Sequence, residues 1–311
     1  MFSTPVLLII FNRPKQTALM LNSLAARQPE VLYVAADGPR ANNASDAVLC
    51  AETRALIEEK VTWKCEVKKL FLDENYGCGK AVSNAITWFF KHNEYGIILE
   101  DDCLPDPTFY GFCEQLLLKY RHDQKVMHIG GSNFQQGKKR GDADYYFSAE
   151  VHVWGWASWR RAWENYDFDM KELDAFVAQR KLANYYTDRT VINYWLGIFE
   201  RMQKHEIDTW DYQWRYSIWN AGGIAIIPNT NLVSNIGFGA DATHTFVSGP
   251  YDNMPTQPVG EKLVHPASKV INAEADKYTF DEHYKPEILT LSKKLYHLRR
   301  RIINKLKIYL R

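Results

Sequence analysis

Three acids stand together where an apolar run ends. Gly96-Ile97-Ile98-Leu99 leads directly into Glu100-Asp101-Asp102, and Pro105 and Pro107 follow at once. Adjacent carboxylates repel one another, so the triplet needs a positive partner. Hard oxygen ligands of this kind suit Mg²⁺ or Mn²⁺, which share such sites with substrate phosphates and water. Successive side chains on a strand point to opposite faces, so neighbouring acids can divide the work, one on the metal and another on a hydroxyl. A solvated acidic turn would have the same composition; the buried strand just before it favours a site.

The elements that must position these acids form a regular series. Residues 6–11, 31–36, 65–72 and 97–99 read as strands, and 17–26, 46–60, 79–92 and 107–120 as the helices between them. Strands alternating with helices predict an α/β fold with a parallel sheet covered on both faces. Ligands of such sheets bind beyond the carboxyl ends of the strands. The first strand ends in Phe11-Asn12-Arg13-Pro14, the second in Asp37-Gly38-Pro39 and the fourth in the acid triplet, so Arg13, Asp37 and the triplet should share one edge. Beyond residue 126 the texture changes. Residues 127–133 and 145–148 look extended, 152–163 form a dense aromatic block, 191–204 look helical, and 228–260 are loop-like.

With 311 residues, 46% of them hydrophobic and 14% aromatic, the chain has ample material for a core and is not disordered. Its net charge of +1 carries no nucleic-acid signature. That balance hides an asymmetry: residues 288–311 hold eight Lys or Arg and no acid, against 30 basic and 37 acidic residues elsewhere. Five scattered cysteines without a C-x-x-C pair fit reduced thiols rather than a disulfide framework or zinc site, and no stretch reaches membrane-spanning length. Both features point to the cytoplasm.

Six stretches, in order, carry a family resemblance. They are PVLLIIFNRP (5–14), ADGP (36–39), EYGIILEDDCLPDPTFYGF (94–112), VWGWASWRRAW (153–163), TWDYQWR (209–215) and NLVSNIGFGADATHT (231–245). The chain resembles the GT-A nucleotide-sugar glycosyltransferases. Within them it is similar to the N-acetylglucosaminyltransferase that initiates complex N-glycans and to bacterial surface-polysaccharide transferases. The resemblance implies a Rossmann-like, mostly parallel central sheet flanked by helices. Residues 1–125 would be the nucleotide-sugar half, 126–265 the acceptor-binding and catalytic half, and 266–311 a C-terminal extension.

The resemblance also implies roles. Asp102 would bind Mn²⁺ or Mg²⁺, Asp101 would face the donor ribose or the metal's water shell, and Glu100 the donor sugar. Asp37 would hold the uracil edge and Arg13 would line the nucleotide pocket. Asp211, beside Trp210, would be the base that takes the acceptor's proton in an inverting transfer; Tyr212 replaces the second acid often found next to it. A carboxylate can accept an imide N–H and a guanidinium can pair with phosphate, which agrees with these roles. Lys80, in the turn Asp73–Lys80 where the family contacts the donor, would offer charge to the diphosphate, with Ser83 and Asn84 also open. Trp154, Trp156 and Trp210 would be platforms for a sugar face, although four tryptophans within ten residues also suit a core. His244 would reach the diphosphate or the metal from its loop.

Leu291, Leu295, Leu298, Ile302, Leu306 and Tyr309 recur at helical spacing among basic residues, the pattern of an interfacial amphipathic helix. A membrane inner leaflet carrying a lipid-linked glycan acceptor would be its partner; docking on the chain's own domain or on a second subunit fits the same pattern. Two rival functions share the sequence features: a sugar-1-phosphate nucleotidyltransferase, and a non-catalytic glycan-binding protein. The first would show a Gly-rich basic loop after the first strand, where Phe11-Asn12-Arg13-Pro14 stands instead.

Overall fold

The computed structural model describes residues 2–237 and 251–284. His244 and the basic segment 288–311 lie outside the described residues. The strands are β1 (Val6–Ile10), β2 (Val31–Ala36), β3 (Glu66–Phe71), β4 (Tyr95–Glu100), β5 (Cys103–Pro105), β6 (Val126–Gly130), β7 (Tyr145–Ser148), β8 (Trp156–Trp159), β9 (Ile224–Pro228) and β10 (Val233–Asn235). The helices are α1 (Pro14–Arg27), α2 (Ala44–Lys60), α3 (Gly77–His92), α4 (Pro107–Lys119), α5 (Arg160–Trp163), α6 (Leu173–Ala178), α7 (Arg189–Gln203), α8 (Asp211–Asn220) and α9 (Ala273–Thr279).

Eight strands form one sheet in the order β3-β2-β1-β4-β8-β6-β9-β7, while β5 and β10 pair separately. The first four strands are mutually parallel, as the alternation of strands and helices predicts. The sheet is mostly rather than wholly parallel, because β8 runs antiparallel to both β4 and β6, and β7 antiparallel to β9. The β4–β8 pairing carries the sheet without a break across residue 125, so residues on both sides share one core.

Alternation along β1 sends Val6, Leu8 and Ile10 into one layer and Leu7 into the other. The first layer packs against α1 and α4, the second against α3, α7 and α8. Helix starts follow local chemistry. Pro14 takes the first turn of α1, and the side chains of Asn43 and Asp106 cap α2 and α4 by accepting from Ser45 N and Thr108 N at 3.2 and 2.9 Å. The aromatic block, which has no clear period, resolves into β8 and α5. Trp156 lies flat between the His128 ring at 5.1 Å and the Trp210 indole at 5.6 Å.

Candidate active site

Because β1, β2 and β4 run in the same direction, their carboxyl ends meet at one rim. A cavity of about 420 Å³ opens there. Its lining includes Arg13, Asp37, Glu100, Asp101, Asp102, Trp154, Trp210 and Asp211. The lining also includes the apolar residues Ile9, Ile10, Ala35, Leu70 and Leu72. Six carboxylates line the cavity (Asp37, Glu100, Asp101, Asp102, Asp208 and Asp211), and the cations among the described lining residues are Arg13 and Arg40.

The acid triplet is divided by its geometry. Glu100 ends β4 and is half-buried, Asp101 is buried in the turn that follows, and Asp102 is half-buried at the start of the β5 return. Arg13 Nη1 bridges the last two, donating to Asp102 Oδ2 at 2.7 Å and to Asp101 Oδ1 at 3.3 Å. The positive partner that the sequence demands is therefore supplied in part by the protein itself. Burial opposes the charge of Arg13, but the two carboxylates outweigh it and raise its pKa. Phe11 N also donates to Asp101, at 3.3 Å.

One arginine does not neutralise three acids. Burial first, then Asp102 and Asp101, and more weakly Asp211, push the Glu100 carboxyl up from 4.5 to about 8. Burial and Asp102 likewise raise Asp101, against the pull of Arg13. The folded protein thus holds protons on these groups that the unfolded chain has released. Their contribution to stability is complete below the ordinary carboxylate range and is lost as pH rises toward about 8. Thermal melts without metal should show Tm falling over this window, and Glu100→Gln should flatten the fall. A Tm independent of pH in wild type would contradict the arrangement.

Asp37 is held as an acceptor. Its Oδ1 takes the backbone N–H groups of Gly38 and Tyr76 at 2.9 Å each, and its Oδ2 takes Asn75 Nδ2 at 2.8 Å. Burial still raises its pKa. Arg40 is fixed by Asp46, which is wholly buried: Nε and Nη2 donate to the two carboxylate oxygens at 2.6 and 3.0 Å. Asn12 Nδ2 donates to the same Asp46, at 2.9 Å, and so ties the end of β1 to α2.

Asp211 is the first residue of α8 and half-buried. Its Oδ1 accepts a short hydrogen bond from Thr209 Oγ1. Tyr166 OH donates to the Trp210 carbonyl at 3.1 Å, holding the same segment.

Two expected residues stand elsewhere. Trp156 is fully buried, enclosed by His128, Trp163, Trp210 and Trp214, so no face is open for a sugar. Lys80 is exposed and absent from the lining, because helical periodicity turns Cys78, Ala81, Val82 and Ala85 to the cavity instead. Ser83 is also turned away, donating to Gly79 O at 2.7 Å, and Asn84 is exposed. Trp154 is half-buried on the lining, and Trp210 lines the cavity although only 2% exposed.

Several lining residues are not evident from sequence, among them Asp208, Asn75, Asn235 and Gly237. Ile236 N donates to the Asp102 carbonyl at 2.8 Å, which brings Gly237 against the Asp102 side chain. A Cβ at Gly237 would stand 2.1 Å from Asp102 Oδ2 and 2.8 Å from its Cβ. Gly237→Ala should therefore displace the Asp102 carboxylate and weaken any ligand bound through it by tenfold or more, since about 1.4 kcal/mol corresponds to tenfold. Titration of the variant with UDP and Mn²⁺ checks this, and affinity equal to wild type would sink it.

The fold and cavity define a mixed α/β protein with an acidic cavity beyond the carboxyl ends of its parallel strands. No family model matches the chain, and no curated protein matches it in sequence. Among solved structures, S. aureus TarS 1–349 is similar over 74% of this chain, at 13% identity and a TM-score of 0.41. This chain spans 59% of that one. HddC from Yersinia pseudotuberculosis is similar over 52% of this chain and 80% of its own, at 10% identity and a TM-score of 0.32. The corresponding values for 4-diphosphocytidyl-2C-methyl-D-erythritol synthase from Anaerococcus prevotii are 71%, 98%, 7% and 0.30.

Proposed function

We propose that the chain is a metal-dependent, inverting GT-A glycosyltransferase that moves a sugar from a nucleotide donor, UDP-linked, to a glycan acceptor in cell-surface polysaccharide assembly. The observation that supports this most is the charge of the cleft: six carboxylates and two arginines line one cavity together with apolar side chains of β1, β2 and β3. A flat base would lie against these apolar side chains, with Asp37 accepting its imide N–H. A diphosphate would be repelled by the acids unless a divalent cation came with it.

Asp102 is the residue assigned to that cation, because it is half-buried on the lining; Arg13 holds its Oδ2 at 2.7 Å, so a cation would share this carboxylate with the guanidinium. Among the described residues no three His, Cys, Asp or Glu are grouped to hold an ion by themselves. Mg²⁺ and Mn²⁺ suit such a sparse set, since they keep waters and take phosphate oxygens as ligands. A cation bound there would screen the charge of the leaving diphosphate.

The protein's own residues do the rest. Arg13 holds Asp101 and Asp102 in place; Glu100 is assigned to the donor sugar, and Asp101, already accepting from Arg13 and Phe11 N, to the ribose through its remaining acceptor capacity. Trp154, half-buried on the lining, is assigned to the sugar face; Trp210, 2% exposed and stacked on Trp156, has little surface to offer one. The acceptor oxygen attacks the anomeric carbon, its bond to the diphosphate breaks on the opposite face, and the hydroxyl proton passes to Asp211. Thr209 occupies Asp211 Oδ1, so Oδ2 receives that proton. The basic segment 288–311 is assigned to an anionic membrane surface, and His244 to the diphosphate. Among the described residues no helix is long and apolar enough to cross a membrane.

A panel of nucleotide sugars with Mn²⁺, followed by thermal shift and donor hydrolysis, tests the reading. UDP-sugars should stabilise the protein only with metal. Absence of binding by every nucleotide sugar would overturn it, as would release of pyrophosphate from a nucleoside triphosphate and a sugar 1-phosphate, the nucleotidyltransferase reaction.

A further inference from the structure

The segment Asp208-Thr209-Trp210-Asp211 is tied at its first residue to an element far away in sequence. Cys78 N and Gly79 N, in the first turn of α3, donate to Asp208 Oδ2 and Oδ1 at 3.1 and 2.9 Å. A carboxylate at a helix N-terminus satisfies orphan donors and meets the positive end of the helix dipole. Here the carboxylate comes from about 130 residues further along the chain. Two glycines make the contact sterically allowed. A Cβ at Gly77 would stand 2.7 Å from Asp208 Oδ2, and one at Gly79 would stand 2.8 Å from both Asp208 Oδ1 and the Thr209 carbonyl. Gly77 also has φ +79°, which favours glycine.

Three residues beyond Asp208 stands Asp211, and the link between them is short and braced. Thr209 bonds the Asp211 carboxylate, Gln213 Nε2 donates to Thr209 O at 3.0 Å, and Tyr166 OH donates to Trp210 O. The α3 side of this brace also lines the cavity, through Gly77, Cys78, Ala81, Val82 and Ala85. The clamp therefore joins the start of α3, which lines the cavity, to the segment that bears Asp211.

We infer that Asp208 is a positioning residue: its two bonds to the α3 N-terminus set the place of Asp211 relative to a ligand lying along α3. The inference rests on the reading of Asp211 as the base. Misplacement of a reacting group by about 1 Å can cost on the order of a hundredfold. Asp208 is itself exposed, so its substitution leaves the core intact.

The test uses the full chain and the UDP-sugar that wild type hydrolyses fastest, from UDP-glucose, UDP-galactose and their N-acetyl forms. Asp208→Ala should lower kcat about ten- to a hundredfold while the Kd for UDP with Mn²⁺ stays within about twofold, and Asp208→Asn should recover part of the loss. In an Asp211→Asn background, Asp208→Ala should have no further effect, because it acts through a carboxylate already removed. Additive losses, or equal loss of kcat and nucleotide affinity, would overturn the inference and leave a structural brace. If wild type hydrolyses no donor, the proposed function fails, and amide exchange then decides the clamp. Asp208→Ala should speed exchange at Cys78, Gly79 and residues 209–212, whereas unchanged exchange at 209–212 would refute it.

Discussion

Asp211→Asn should abolish sugar transfer while leaving UDP binding with Mn²⁺ intact. The expected fall in kcat is about 10²–10⁴-fold, the usual worth of a positioned general base. Asparagine keeps the size of the side chain and an acceptor for the Thr209 hydroxyl, so the start of α8 should keep its conformation; what disappears is the oxygen that takes the proton. Steady-state rates with the donor identified from the panel, together with the Kd of UDP, make the comparison. Two outcomes would remove Asp211 from the chemistry: full activity in the variant, or a loss of activity that only follows a loss of binding.

Arg13→Met should destabilise the protein, and the extent should depend strongly on pH. Arg13 bonds Asp101 and Asp102 from a largely buried position, with 15% of its side-chain surface exposed against 7% and 16% for the two acids. Removing one partner of a buried ion pair costs about 3–5 kcal/mol because the remaining charge is left uncompensated. Residual solvent access at this site reduces the expected cost to about 2–3 kcal/mol. Near pH 8 Asp101, Asp102 and Glu100 would face one another without their arginine. Near pH 5 the buried carboxyls take up protons, and the variant should approach wild type. Mn²⁺ or Mg²⁺ should restore part of the loss at pH 8 by occupying the place of the missing charge. Thermal melts at both pH values, with and without metal, measure each effect. A cost independent of pH would mean that Arg13 contributes packing rather than charge compensation.

These two residues illustrate how much of the site is legible in sequence. Arg13, Asp37 and the acid triplet each follow an apolar run, and a parallel sheet necessarily brings such endings to one rim. The helices were legible to within two or three residues: those read over 17–26 and 46–60 begin at Pro14 and Ala44, where Pro14 and the Asn43 cap set the first turns. The role of Arg13 was less so. Its partners lie 88 and 89 residues away, and only the pairing of β1 with β4 shows that it sits between two acids. Lys80 was misleading because a basic residue in a helix's first turn resembles an anion site, but its phase on the helix turns it to solvent. Trp156 was ambiguous for a related reason: an indole that could carry a sugar is chemically identical to one that fills a core, and burial alone separates them.

Asp208 carried no readable signal, and Gly237 stood only as one residue of the stretch 231–245, with no role of its own. Their significance is a contact made across the fold, with α3 in one case and Asp102 in the other. By itself the sequence determined the alternating strands and helices of the first part of the chain, their parallel sheet, and the strand ends at which acids and arginine would gather, because periodicity is a local property. Tertiary structure decided which acids the arginine neutralises, which tryptophans keep an open face, and which distant backbone donors hold the segment bearing Asp211. Those outcomes depend on distances of a few ångströms between residues far apart in the chain, and no local pattern encodes them.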